Sequence, residues 1–196
     1  MSLFLSLWIK LFFVLTPFFG LTMFLSMTED YDAARRRGLA LAVASAVAVL
    51  CFVLFFAGQQ IFALFGITLD SFRIGAGVLL MLSAIALVQG RTGAADLGRE
   101  GDVAVVPLAM PIIVGPATTG TLLVLGAELD TLAARAVGSL ALLFAVGCVA
   151  AILLAASYIQ RGLGARGIAI LSKLTGLILA AQMIMTGIQG FLGAQP

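Results

Sequence analysis

The sequence has 196 residues, of which 62% are hydrophobic and only 10% are charged, and its formal net charge is +2. An ordinary soluble domain is roughly half apolar and about a quarter charged, so this composition excludes a typical soluble protein. The small net charge and the dispersed basic residues argue against nucleic-acid binding. Because the sequence contains no histidine, catalytic sites and metal sites based on imidazole are also excluded.

Six apolar segments follow one another along the chain, and each is about as long as a helix that crosses a bilayer. They cover residues 3–27, 39–58, 72–89, 103–126, 137–159 and 168–192. A polar connecting loop, 91–102, separates a first unit, 1–90, from a second, 103–196. The sequence therefore predicts an all-α integral membrane protein of six transmembrane helices in a single membrane domain.

The two halves of the chain resemble each other. The string Ala33-Ala34-Arg35 recurs as Ala133-Ala134-Arg135, and Gln89-Gly90 recurs as Gln189-Gly190, both at an offset of 100 residues. Three spans is an odd number, so the second half enters the membrane from the side opposite to the first. The pattern predicts two inverted three-helix repeats, an arrangement found in many secondary transporters.

The basic residues predict the orientation of the chain. Lys and Arg concentrate in the loops that face one side of the membrane, as cytoplasmic loops do. These residues are Arg35, Arg36, Arg37, Arg91, Arg99, Arg161, Arg166 and Lys173. We therefore expect both termini to lie outside.

Each half carries a helix-breaking sequence near the middle of its first span. Thr16-Pro17 in the first span aligns with Gly115-Pro116 in the fourth at an offset of 99 residues. Proline removes a backbone donor and clashes with the preceding turn, so we expect broken first and fourth helices. One such break is more often a simple kink, but two in equivalent positions predict a binding site near the bilayer midplane.

The candidate substrate-binding residues lie at these two breaks. They are Thr16, Pro17, Gly20, Gly115, Pro116, Ala117, Thr118 and Thr119, with Thr22 and Gln182 as further candidates. The amide end of a half-helix suits a carboxylate and the carbonyl end suits an ammonium group. The breaks therefore predict a small zwitterionic solute as the ligand.

The acidic residues all lie in or beside the polar breaks, so no predicted span has a carboxylate at its centre. A proton pump built on a buried carboxylate relay is therefore not expected. A coupling ion, H⁺ or Na⁺, would be bound by carbonyl and hydroxyl oxygens, and the sequence leaves its identity open. We expect no catalytic residue, no bound metal, no cofactor and no enzyme activity.

Three strings in the sequence resemble a known family. PLAMPIIVGPATTG, at 107–120, is similar to a signature of the MarC family of bacterial inner-membrane proteins. TPFFGLTMFLSMT, at 16–28, resembles that family's other signature, and LSKLTGLILAAQMIMTGI, at 171–188, resembles its final helix. The string at 16–28 departs from the family pattern. Thr16 replaces an Asn or Asp, Phe19 replaces a Gly, Gly20 replaces an Asn and Thr22 replaces a Pro. Ala117 stands for a Gly in the other break.

The resemblance implies a six-helix inner-membrane protein that transports small neutral amino acids such as glycine or alanine, by uptake or export. Our leading hypothesis is a secondary transporter with its substrate at the facing breaks. A passive channel or pore, and a membrane protein without transport activity, are the alternatives. Membrane lipids are expected partners, with anionic headgroups near the arginines of 35–37, 161 and 166, and a homo-oligomer is left open.

Overall fold

The computed structural model describes residues 3–89, 108–109 and 112–193. Within them it has seven α-helices: α1 (Leu3–Val14), α2 (Pro17–Met27), α3 (Ala33–Phe65), α4 (Leu69–Gln89), α5 (Pro116–Glu128), α6 (Leu132–Leu154) and α7 (Ala156–Gly193). The predicted connecting loop, 91–102, and most of the first part of the fourth span lie outside the described residues.

Side-chain caps fix the first turns of the two longest central helices. The Asp32 carboxylate accepts a hydrogen bond from the Arg35 amide at 2.8 Å at the start of α3. The Thr131 hydroxyl accepts one from the Ala134 amide at 3.2 Å at the start of α6. Such caps satisfy amides that have no partner inside the helix. The two caps are 99 residues apart.

Two glycines with positive φ angles shape the helices: one ends α3 and the other kinks α7. Gly66 ends α3 with φ of 63°, a conformation that glycine adopts at helix C-termini without steric cost. Gly164 has φ of 65° inside α7 and kinks that helix. The kink divides α7 into a short segment beside α6 and a long one that continues to Gly193.

The buried core is formed mainly by α1, α2, α3, α5, α6 and the segment that precedes α5, and Leu11, Val47, Ile113 and Leu142 are among its most buried members. Helix α4 packs most extensively on α7, α5 packs on both α3 and α4, and α2 packs on α7. Large apolar side chains point outward all along the helices. An apolar exterior around a packed interior is what a lipid-embedded protein requires.

Glycines allow α5 to lie very close to α3. A Cβ added at Gly58 would collide with the Leu123 carbonyl oxygen, and one added at Gly126 would collide with the Phe55 carbonyl oxygen. Small residues allow membrane helices to approach each other in this way. The α3–α5 contact is therefore backbone against backbone.

Four segments of the described residues are long and apolar enough to cross a membrane: Leu3–Met27, Ala33–Gly58, Leu132–Leu154 and Ala156–Ala181. The prediction of an all-α membrane protein is thereby confirmed. Helix α4 covers the predicted third span with 21 residues. The predicted end of the fifth span at residue 159 is wrong, because the chain turns at Ala155 and α6 ends at Leu154. That turn lies among apolar residues and leaves no composition signal.

Candidate functional site

The first break separates α1 from α2 by two residues. Helix α1 ends at Val14, and Thr16 has φ of 47° and ψ of 53°, in the left-handed region. A β-branched residue is uncommon there because its side chain crowds the backbone. Asn and Asp tolerate this conformation better. Pro17 then begins α2, where its missing amide costs no hydrogen bond.

The second break precedes α5. The Val114 amide donates to the Ala109 carbonyl at 2.8 Å, five residues back, which is a π-helical turn. Gly115 is extended, with φ of −83° and ψ of −177°, and Pro116 begins α5. The Gly115 carbonyl accepts the Thr119 amide at 2.9 Å, just as the Thr16 carbonyl accepts the Gly20 amide at 2.9 Å in the first break.

The two breaks touch each other. The Thr118 hydroxyl, on the first turn of α5, is shared between the Val14 carbonyl at 2.9 Å and the Ile113 carbonyl at 3.1 Å. Thr118 is only 2% exposed. A Cβ at Gly20 would lie 3.0 Å from Ile113 Cγ1, so α2 also packs against the second break without room to spare.

Four backbone amides at the breaks have no helical acceptor because they belong to first turns. They are the amides of Phe18 and Phe19 in α2 and of Ala117 and Thr118 in α5, and none of them donates a hydrogen bond within the described part of the chain. Two partly positive helix ends thus meet near the C-terminal carbonyls of α1. Such an arrangement can bind a carboxylate at the amides and an ammonium group at the carbonyls.

The predicted site residues fall into two groups. Pro17, Gly20, Ala117 and Thr118 are buried, and Thr16, Gly115 and Thr119 are half-buried, all at or next to the meeting point of the breaks. The side chains of Pro116 and Gln182 lie outside what the structure describes. Thr22 is exposed and lies two turns into α2, away from that point.

A cavity of about 310 Å³ extends along α2 from Thr22 toward the end of the helix. It is lined by Thr22, Leu25, Ser26, Glu29, Arg36, Gln160, Ala165 and Ile168. Of the predicted site residues only Thr22 lines it, and sequence reasoning did not find Ser26, Glu29, Arg36 or Gln160. A signal for three of the lining residues was present, because Thr22, Ser26 and Glu29 are spaced to form one polar stripe on an otherwise apolar helix.

Among the described residues, a cluster of charged side chains occupies the corresponding end of α5. The guanidinium of Arg73, on α4, donates to Glu128 at 2.8 and 3.1 Å and to Asp70 at 2.6 Å. Lys10, half-buried in α1, interacts electrostatically with both Arg73 and Glu128. Thr121 and Leu125, on α5, are buried, whereas Thr22 and Ser26 in the equivalent places on α2 are exposed.

The described residues contain no group of three or more His, Cys, Asp or Glu side chains placed to bind a metal ion. The structure brings together backbone amides, backbone carbonyls and hydroxyl groups at the breaks, and it places Glu29 and Arg36 on the wall of the cavity. Their chemistry is that of binding a small charged or zwitterionic molecule.

Comparison with known proteins agrees with the sequence resemblance, which is confirmed. Residues 1–192 match the family described as MarC family integral membrane protein. A UPF0056 membrane protein of Methanocaldococcus jannaschii is 35% identical over 195 residues, covering 93% of this chain and 94% of that protein. The inner membrane protein YhgN of Escherichia coli is 31% identical over 188 residues, covering 92% and 93% respectively. No solved structure matches.

Proposed function

This chain belongs to the MarC family of integral membrane proteins, and we propose that it is a secondary transporter of small neutral amino acids such as glycine or alanine. The substrate binds where the two helix breaks meet and reaches that point through the Thr22–Gln160 cavity. The observation that carries the proposal is the shared hydrogen bond of Thr118, which joins the break of one half to the break of the other.

An inverted repeat of three spans in each half is part of this proposal. It is supported by equivalent features 99 residues apart: the prolines that begin α2 and α5, the caps of α3 and α6, and two arginines. Arg36 donates to the Thr28 carbonyl after α2, and Arg135 donates to the Leu129 carbonyl after α5 at 2.7 Å. The packing of α2 on α7 and of α5 on α4 follows the same symmetry.

The size of the site favours small substrates. Phe19 packs against Val14 and Ala117 beside the breaks, and Gly20 approaches Ile113 closely. In this proposal a carboxylate and an ammonium group separated by one carbon bind between the two helix ends with little displacement of the side chains there, whereas a large side chain would have to displace Phe19. Glycine and alanine meet this limit.

The unequal ends of the molecule favour a transporter over a passive pore. A pore needs a path open at both ends, whereas here the α2 end has a cavity and the α5 end is joined by the Arg73–Glu128 ion pair. Alternating access requires one state that is open to one side of the membrane and a second state that is open to the other side. By the predicted orientation, the open end faces the cytoplasm.

Counterflow of radiolabelled glycine or alanine into proteoliposomes tests the proposal. Thr118→Val removes the shared hydroxyl, and we expect exchange to fall at least tenfold, while Thr118→Ser, which keeps a hydroxyl, restores most of it. Thr175→Val is the matched control, because Thr175 is also buried but its hydroxyl donates, within the described residues, only to the Leu171 carbonyl of its own helix at 3.0 Å. Well-folded wild-type protein that exchanges no small amino acid would refute the proposal.

A further inference from the structure

A second polar cavity lies beside the first and has a different character. This groove, of about 180 Å³, is formed by the start of α3, the end of α6 and the start of α7. Its lining residues are Ala33, Arg36, Arg37, Leu153, Leu154, Ser157, Tyr158 and Arg161. Three arginines and two hydroxyl side chains thus surround one small space, and no acidic residue that the structure describes lines it.

Within the described part of the chain, no carboxylate forms a salt bridge with an arginine of the groove. Both salt bridges found within the described residues belong to Arg73, at the other end of the molecule. Like charges gathered in one groove repel each other unless an anion lies between them. Arg36 is held in place by donating to Ser157 Oγ at 2.8 Å and to the Thr28 carbonyl. Since Ser157 accepts that bond, its own proton remains available to a further oxygen.

The equivalent place in the other half of the chain lacks this charge. Arg135 corresponds to Arg36, but Ala136, Gly58 and Phe62 stand where the groove has Arg37, Ser157 and Arg161. The fold alone therefore does not require a basic groove at this position. Three of its polar groups are specific to one side of the protein.

The surroundings of the groove are those of a membrane surface. Tyr158 is 72% exposed and Leu154 is 42% exposed at the end of a helix long enough to span a bilayer. Tyrosine and arginine at such a depth lie among lipid headgroups, and the exposed Leu154 offers contact to an acyl chain. A phosphate that is attached to a lipid fits these neighbours better than a free one.

We propose that the groove between α3, α6 and α7 binds the phosphate of an anionic lipid headgroup, with Arg37, Arg161 and Ser157 contacting its oxygens. Arginine guanidinium groups and hydroxyls are suited to phosphate oxygens. Arg36 lines both the groove and the Thr22–Gln160 cavity. A lipid bound here would therefore contact the residue that ties the end of α2 to α7.

The test is lipid retention by purified protein, which does not depend on transport. Wild-type protein is placed in nanodiscs of phosphatidylcholine with a minor fraction of phosphatidylglycerol, and bound lipid is counted by native mass spectrometry. We expect one retained phosphatidylglycerol, and at least a tenfold weaker retention for Arg37→Gln/Arg161→Gln, since each basic residue near an anionic surface contributes about fivefold.

The matched control is Arg35→Gln/Arg166→Gln, which removes the same charge from the same side of the protein. Neither residue lines the groove, and the Arg35 guanidinium lies over the Tyr31 ring at 4.0 Å. We expect this variant to retain lipid as the wild type does. Equal losses in both double variants would overturn the proposal, because general surface charge would then explain the retention.

Two further measurements of the melting temperature distinguish binding of a lipid from binding of free phosphate, and loss of binding from loss of folding. Inorganic phosphate at millimolar concentration, added to phosphatidylcholine nanodiscs, should not raise the melting temperature, whereas phosphatidylglycerol should raise it in the wild type and not in Arg37→Gln/Arg161→Gln. Protection by inorganic phosphate alone would overturn the assignment to a lipid. Melting in pure phosphatidylcholine must be the same for wild type and Arg37→Gln/Arg161→Gln, and we expect it to be, because both side chains are exposed.

Discussion

The ends of α2 and α5 occupy equivalent places in the two halves of the chain but differ in packing. At the end of α5, Gly126 lies against the α3 backbone and Glu128 is bonded to Arg73. At the end of α2, Met27 stands in place of that glycine, and Glu29 faces a cavity. The end of α5 is therefore fixed to its neighbours by backbone contact and an ion pair, and among the described residues the end of α2 has neither.

A second difference lies at the breaks themselves. Thr118 on α5 donates to a carbonyl of each half, whereas its equivalent on α2 is Phe19, which has no hydroxyl. One side chain therefore links both breaks. Ser172 stands where the other half has Arg73, so Glu29 lacks the arginine that Glu128 has at the equivalent place. The Ser172 hydroxyl is buried with no hydrogen-bond partner among the described residues. We infer that α2 is the half-helix that moves.

The largest expected effect comes from disrupting the close contact between Gly126 on α5 and the backbone of α3. Gly126→Ala places a Cβ against the Phe55 carbonyl oxygen, so the two helices must separate and repack. We expect a loss of about 3 kcal/mol in the free energy of unfolding, because overpacking is relieved here only by moving backbone. Thermal unfolding in detergent measures it. Gly147→Ala on α6 is the control, since a Cβ there meets nothing within 4 Å.

A smaller effect is expected from the ion pair that closes the α5 end. Arg73 and Glu128 have side chains only 20% and 30% exposed, so removing one partner leaves the other charge partly desolvated. Arg73→Gln and Glu128→Gln should each cost about 1–2 kcal/mol. Measured as a double-mutant cycle, the two changes should be coupled by about 1 kcal/mol or more. Additive losses would show that the pair does not hold this end closed.

The smallest expected effect is a gain. Thr16 has left-handed backbone angles, and asparagine tolerates them better than a β-branched residue. Thr16→Asn should therefore raise the free energy of unfolding by about 1 kcal/mol. Thr22→Asn, on a regular turn of the following helix, is the control and should give no gain. A loss of stability for Thr16→Asn would mean that the threonine methyl group contributes packing that outweighs the strain.

Local sequence rules predicted the local features and missed the distant contacts. Proline chemistry located the starts of α2 and α5, and hydrophobic length located the long apolar helices. The hydrogen bond from Thr118 to Val14 joins residues 104 positions apart, which no local pattern encodes. Gln160 and Arg36 meet at one cavity for the same reason. The turn at Ala155 was missed because alanine favours helix, and tertiary packing rather than composition sets the turn.

Cysteine accessibility at Thr22 and Thr121 tests the central claim most directly. These threonines are equivalent in the two halves, yet Thr22 lines the open cavity and Thr121 is 5% exposed. In a background with Cys51 and Cys148 replaced by alanine, we expect Thr22→Cys to react with an impermeant thiol reagent from the α2 side and Thr121→Cys to be protected. Saturating glycine or alanine should slow the first reaction and speed the second from the opposite side. Reaction of both cysteines at rates that no amino acid changes would contradict the account.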